Sequence, residues 1–239
     1  MAIQVSLKTL IESGAHFGHQ VRRWNPKIKP YIYGMQEGIH IFDLIKTKEL
    51  LVETLDFLKN SAKEGKTIIF VGTKKQARDK IKEVAQVTGQ YWVNERWLGG
   101  TLTNFEQIRR SLKKLNDMKT KRNAGDFKSF TKKERTEIDR EIERLDRFFG
   151  GLNGLEKIPD ILIVVDIKKE EVAIREALKL EVETVALVDS NTDPTSVDYV
   201  IPMNDDAARA IIYVLDLMGK AILEGKKKRD INSVTSKGE

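Results

Sequence analysis

A run of four apolar residues, Ile68-Ile69-Phe70-Val71, stands between Lys66-Thr67 and Gly72. Unbroken apolarity of that length is what a strand buried on both faces requires, and the glycine closes it. The unit recurs at Ile161-Leu162-Ile163-Val164-Val165 and Val185-Ala186-Leu187-Val188, with a shorter one at Tyr199-Val200-Ile201 and helix-length segments between. Strands separated by helices imply right-handed crossovers, hence an α/β fold with a mainly parallel sheet covered by helices on both faces. After Gly72, Thr73 and Gln76 have the spacing of a capping box, and Ala77, Ile81, Val84 and Ala85 fall on one helical face. That places Lys74 and Lys75 in the first turn of a helix, where backbone N–H groups and two ammonium groups favour a phosphate. One glycine forms neither a P-loop nor a dinucleotide turn, so no nucleotide cofactor is expected.

The chain of 239 residues is long enough to bury a sizeable core. It has no cysteine, which removes disulfides, thiolate metal sites and a cysteine nucleophile, and it suits a reducing compartment. The start, Met1-Ala2-Ile3-Gln4-Val5-Ser6-Leu7-Lys8, lacks a basic segment before an apolar core, and no apolar run reaches membrane-spanning length. The expectation is a cytoplasmic protein without a membrane partner.

The net charge of +6 is unevenly placed. Residues 1–30 hold five Lys/Arg against one acid, 106–133 hold ten against three, and 226–239 hold five against two. Those stretches carry +14 together, so the remainder of the chain is at −8. An acidic body with basic extensions points to a polyanionic partner, RNA above all.

Residues 6–15 read as a short helix with Leu7, Leu10 and Ile11 on one side, ending at Gly14. From His16 to Tyr31, two prolines forbid a continuous helix, and aromatic and cationic residues are interleaved. Phe17 or Trp24 can stack a base or sugar there while Arg22, Arg23, Lys27 and Lys29 meet phosphates, and His16 and His19 are expected on the same RNA-facing surface. The alternative is that the rings anchor the loop and the cations are merely solvated. His16, His19 and His40 do not make a metal centre in this reading, because no cysteine and no compact third ligand accompany them. Ile39-His40-Ile41-Phe42 reads as a strand, and 47–64 as a helix with Leu50, Leu51, Leu55 and Leu58 inward. Tyr91-Trp92-Val93 leads to a loop with Gly99-Gly100, in which Arg96 and Trp97 either join an RNA surface or cover the end of the sheet.

From Thr103 the apolar residues thin to Phe105, Ile108, Leu112, Leu115 and Met118, a narrow stripe behind a second capping-box spacing, Thr103 to Glu106. A third, Thr131 to Glu134, precedes Ile138, Ile142, Leu145 and Phe149. Two such helices suit one another better than a large core, so 103–150 is expected to project as an antiparallel coiled-coil hairpin. Its first helix and tip hold the excess cations, including Arg109, Arg110, Lys113 and Lys114, which favours contact with RNA or an acidic protein. The α/β body then comprises 1–102 and 151–225, closed by a helix over about 205–224, and 226–239 is expected to form a basic mobile tail.

An enzyme is the rival class. Asp166 and Asp189 end buried strands, with Asp193, Asp205 and Asp206 near later turns, and two carboxylates there can hold Mg²⁺ for phosphoryl chemistry. No motif places a base or nucleophile beside them, and Asp189-Ser190-Asn191-Thr192-Asp193-Pro194 reads equally well as a turn of side-chain-to-backbone caps.

Gly14-Ala15-His16-Phe17-Gly18-His19-Gln20, Trp24-Asn25-Pro26-Lys27, Phe70-Val71-Gly72-Thr73-Lys74, Arg96-Trp97-Leu98-Gly99-Gly100, Leu102-Thr103-Asn104, Pro159-Asp160 and Asn204-Asp205-Asp206-Ala207 resemble motifs of one family. It is the bacterial type of ribosomal protein S-two, and the resemblance runs nearly end to end. It implies a Rossmann-like or flavodoxin-like domain with an inserted coiled-coil hairpin, bound to small-subunit ribosomal RNA near the head-body junction. It also implies no catalysis, and a protein partner in the mRNA-binding ribosomal protein S-one; neither a cofactor nor a metal is expected. Met203 departs from the family pattern, which has glycine there, and a positive φ at that position would strain the turn.

Overall fold

The computed structural model describes residues 3–235, with side chains through Asp230. In chain order the elements are α1 (Leu7–Glu12), β1 (Phe17–Gln20), β2 (Ile32–Gln36), β3 (Ile39–Phe42), α2 (Leu44–Glu64), β4 (Ile68–Val71), α3 (Arg78–Thr88) and β5 (Tyr91–Val93). There follow α4 (Phe105–Ala124), α5 (Lys132–Phe149), β6 (Ile161–Val165), α6 (Glu171–Lys179), β7 (Glu183–Val188), β8 (Tyr199–Pro202) and α7 (Ala208–Thr235). The sheet order β5-β4-β6-β7-β8 is parallel throughout. That is the flavodoxin-like form of the doubly wound fold, in which the order reverses between the first and third strands, here β4 and β6.

The apolar runs bury both faces, and alternate residues feed two cores. Ile68, Phe70, Ile161, Ile163, Val165, Val185 and Leu187 meet α2, α3 and α7, while Ile69, Val71, Leu162, Val164, Ala186 and Val188 meet α6 and the bases of α4 and α5. Period-two geometry on a strand produces this division without any polar alternation in the sequence. Gly72 is needed for packing: a Cβ there would lie 2.2 Å from Ile81 Cδ1 and 3.2 Å from Val165 Cβ.

Several local expectations are corrected. Helix α3 begins only at Arg78, with Ala77 at its N-cap and no side-chain cap, because the Thr73 hydroxyl donates to Glu170 instead. Lys74 and Lys75 therefore do not lie in a helical first turn. Thr103 does not cap α4 either; its N–H and hydroxyl both go to Glu176. The Thr131–Glu134 box forms in full. In α1, Leu10 is buried while Ile11 is exposed, and in α2 Leu50 is only half-buried beside buried Leu51, Leu55 and Leu58. The segment from His16 is more ordered than its prolines suggest, since β1, β3 and β2 form a small antiparallel sheet in that order. Met203 is buried in the main core and its φ is not positive, so methionine strains nothing there. Lys226 to Arg229, expected to open a tail, lie within α7, and residues 236–239 fall outside the described residues.

α4 and α5 lie against one another, with Lys114–Glu141, Lys119–Asp146 and Arg122–Asp139 paired between them. Ile108, Leu112, Leu115, Ile142, Leu145 and Phe149 are buried, and no residue from 116 to 141 is.

Candidate nucleic-acid interface

The N-terminal segment is fastened to the loops that follow β7 and β8. The Ser190 hydroxyl accepts the His19 N–H at 2.7 Å, the Ser190 carbonyl accepts the Asn25 N–H at 2.8 Å, and Asn204 donates to the Ala15 carbonyl at 3.0 Å and to that of Gly14 at 3.1 Å. Gly18 makes the approach possible, because a Cβ there would meet Ser190 Oγ at 2.8 Å. With the backbone so held, Arg22, Arg23 and Lys29 are exposed. Lys27 is exposed too but binds Asp193 at 2.7 Å, which holds that carboxyl below its ordinary value. Phe17 is 44% exposed, with its ring centroid 4.0 Å from that of His16 and the two rings tilted by 41°. Trp24 is half-buried and stacks on buried His40 at 4.9 Å, which makes it an anchor more than a free platform. Burial pushes the pKa of both His16 and His40 down, so these two are packing histidines.

Lys74 is not available to a phosphate. Its ammonium lies 2.5 Å from Asp205, 2.6 Å from Asp206 and 3.0 Å from Asp166, in a site where its side chain is 14% exposed. Burial opposes its charge, but those carboxylates outweigh it and its pKa is raised. His19 Nδ1 pairs with Asp189 at 2.9 Å and Nε2 faces Asp206 at 3.5 Å. The hydrogen bond to Asp189 raises the His19 pKa, against its burial. Asp205, almost fully buried beside Asp189 and Asp166, is pushed up to about 7. His19, Asp189 and Asp206 thus come close enough to share an ion, a convergence hidden in the sequence because Asp189 and Asp206 follow different strands. The cation nearest to them is the protein's own Lys74. Asp166 adopts φ 70°, a left-handed conformation costly for a residue with a Cβ.

The carboxylates at the strand ends are therefore ties. Asp189 accepts the N–H groups of Ser190 and Asp205, Asp193 accepts that of Thr195, and Asp166 accepts that of Lys169. Trp97 is buried and covers the end of the sheet, its indole N–H donating to Glu176 at 3.2 Å. Glu176 also accepts the N–H groups of Gly100, Leu102 and Thr103, and these donors overcome its burial and hold its pKa down. This residue carries no motif; its signal is an acid three residues after buried Ala173, on the apolar face of α6.

Among the remaining sequence-predicted cations, Lys75, Arg96, Arg109, Arg110, Lys113 and Lys114 are exposed. Arg109 and Arg110 approach Glu106 at 3.6 and 3.8 Å, and Lys114 reaches Glu141 at 2.9 Å. Such surface pairs are weak and exchange readily for a phosphate. Among the described residues, Arg23, Lys29, Lys75, Arg96 and Lys113 have no ion-pair partner within 4.0 Å.

A doubly wound sheet whose strand-end acids are engaged in internal ties, with its free cations on the N-terminal segment, on α4 and on the loops after β4 and β5, defines a binding scaffold. A family model described as "Ribosomal protein S2" matches residues 10–225. "Small ribosomal subunit protein uS2" of Coprothermobacter proteolyticus is 49% identical over 235 residues, 98% of this chain and 87% of the relative. The protein of the same name from Petrotoga mobilis is 50% identical over 225 residues, 94% of this chain and 78% of the relative. The chain belongs to the ribosomal protein S2 family: it is a constituent of the small ribosomal subunit in translation and not an enzyme, and its place is the ribosome. No helix among the described residues is long and apolar enough to cross a membrane.

Proposed function

We propose that the chain binds small-subunit ribosomal RNA through two cationic surfaces. One is Arg22, Arg23 and Lys29 with the Phe17 ring, and the other is Arg109, Arg110, Lys113 and Lys114 on α4. The observation that carries this reading is the exposure of these cations on segments whose charge is lopsided, attached to a body of opposite sign. Residues 1–102 with 151–225 act as the body, 103–150 as an arm and 226–239 as a basic end. The acidic body surface is left for neighbouring proteins, among them the ribosomal protein S-one, whose recruitment the family resemblance implies.

Reversing Arg109, Arg110, Lys113 and Lys114 to Glu should weaken RNA association and flatten its salt dependence by about 0.9 in log–log slope for each phosphate no longer neutralised. Equilibrium binding to small-subunit RNA at several salt concentrations measures both; an unchanged affinity and slope would remove α4 from the RNA surface. Small subunits reconstituted without this chain should retain less S-one in sedimentation, and equal retention would refute that role.

A further inference from the structure

The parallel sheet changes direction of growth between β4 and β6, the place where doubly wound folds open a crevice at the strand C-termini. Here that place is divided. Toward β7 and β8 it is filled by Lys74 and its three carboxylates. Toward β5 it stays open as a crevice of about 390 Å³ between the loops after β4, β5 and β6, lined by Thr73, Arg78, Arg96, Lys169, Glu170 and Val172 together with Glu95 and Trp97. The volume lies in the range of small-molecule sites and exceeds what a bare ion needs.

Its charges are unbalanced. Arg78, Arg96 and Lys169 converge from three separate loops or helix starts. The opposing Glu95 is already shared, meeting Arg78 at 3.5 Å and Arg147 at 2.8 Å. Glu170 is buried, accepts both the N–H and the hydroxyl of Thr73, and burial raises its pKa. Lys169 and Arg78 are both held by the Thr73 carbonyl, at 3.0 and 2.9 Å, so their positions are fixed before any ligand arrives. Arg96 is exposed and free of ion pairs among the described residues. Val172, 44% exposed, supplies an apolar wall beside them.

We infer that this crevice binds a phosphorylated ribonucleotide, its phosphate held by Arg96 and Lys169 and its sugar or base lying against Val172. Guanidinium and ammonium groups converging on an under-neutralised pocket recognise phosphate by charge and by paired hydrogen bonds. The nucleotide can be free or a unit of an RNA chain, and the site is distinct from the two surfaces proposed above.

The test uses the full chain at low salt. Adenosine and guanosine monophosphate are titrated by calorimetry, with inorganic phosphate as a control, and small-subunit RNA is footprinted with the wild type, with Arg96→Glu and with Lys169→Gln. Binding of either mononucleotide with Kd of roughly 0.1–1 mM, weakened at least tenfold by Arg96→Glu, assigns the site to a free nucleotide. Protection of an RNA phosphate that Arg96→Glu abolishes, without mononucleotide binding, assigns it to an RNA chain. Arg96 is exposed, so an unaltered melting temperature shows that the variant folds. If neither variant changes mononucleotide binding or the RNA footprint, the inference is wrong, whatever the outcome of the α4 reversal.

Discussion

At Asp205, the surrounding charges decide a proton. Burial and the carboxylates of Asp189 and Asp166 push it up to about 7, from an ordinary 3.8, while Lys74 works the other way. The folded protein therefore binds more protons than the unfolded chain between those two values. His19, raised above its ordinary 6.5 through Asp189, does the same at higher pH. Both contributions are fully present below the unfolded pKa values and are lost as pH rises through the folded ones. The melting temperature should accordingly fall as pH rises from about 4 through about 7, and Asp205→Asn should remove about 1–3 kcal/mol of that dependence. Thermal unfolding of both proteins across the interval checks this, and parallel pH profiles would contradict the assignment. Gly72→Ala belongs to the same scale: the added methyl would overlap Ile81 and crowd Val165, with an expected loss of about 1–3 kcal/mol in denaturant unfolding. An equally stable variant would show that Ile81 repacks freely.

Glu176 holds one element to another. From α6 it reaches the loop between β5 and α4 and satisfies five donors there, which fixes Trp97 over the sheet and sets where α4 departs. Glu176→Ala leaves these buried N–H groups unpaired and should cost about 2–4 kcal/mol, whereas Glu176→Gln, which keeps the acceptor on one arm, should cost less. Chemical denaturation of both variants ranks them, and equal costs would mean that the charge alone matters. This clamp also explains what the sequence showed at element scale and what it hid. The buried strands were legible because four or five consecutive apolar residues have few other uses. The Thr131–Glu134 cap was legible because it is local and exposed, so nothing distant competed for Thr131. Thr73 and Thr103 have the same spacing, yet their hydroxyls serve Glu170 and Glu176, 97 and 73 residues away in sequence. A local pattern loses when a buried carboxylate needs the same donor. The small antiparallel sheet was half visible: β3 is apolar at Ile39, Ile41 and Phe42, but β1 is Phe-Gly-His-Gln and is held in place through Ser190 rather than through its own composition. The partners of Lys74 are hidden for the same reason, because its three acids arrive from after β6 and β8.

Across the whole molecule, net charge is separated by position rather than by amount. The ion pairs of the body are mostly satisfied within it, while the N-terminal segment and α4 present cations that, among the described residues, have no ion-pair partner or only exposed pairs of little worth. Both surfaces belong to one folded chain, since the N-terminal segment is hydrogen-bonded to the β7 and β8 loops and the base of α4 shares a core with the sheet. An RNA that reaches both is bound by two linked sites, and engagement of the first raises the effective concentration of the second. Replacing Arg22, Arg23 and Lys29 by Glu should then lower RNA affinity by about 10–100-fold at moderate salt, as should reversal of the α4 set, each with its own fall in salt slope. Joined in one chain, the two sets should cost the product of their separate effects, because the rigid body makes neither contact depend on a flexible linker. Filter binding to small-subunit RNA over a range of salt, with melting temperatures as a control for folding, measures all three variants. If the combined variant binds no more weakly than the worse single one, the two surfaces do not contact the same RNA at once, and one of them faces a protein.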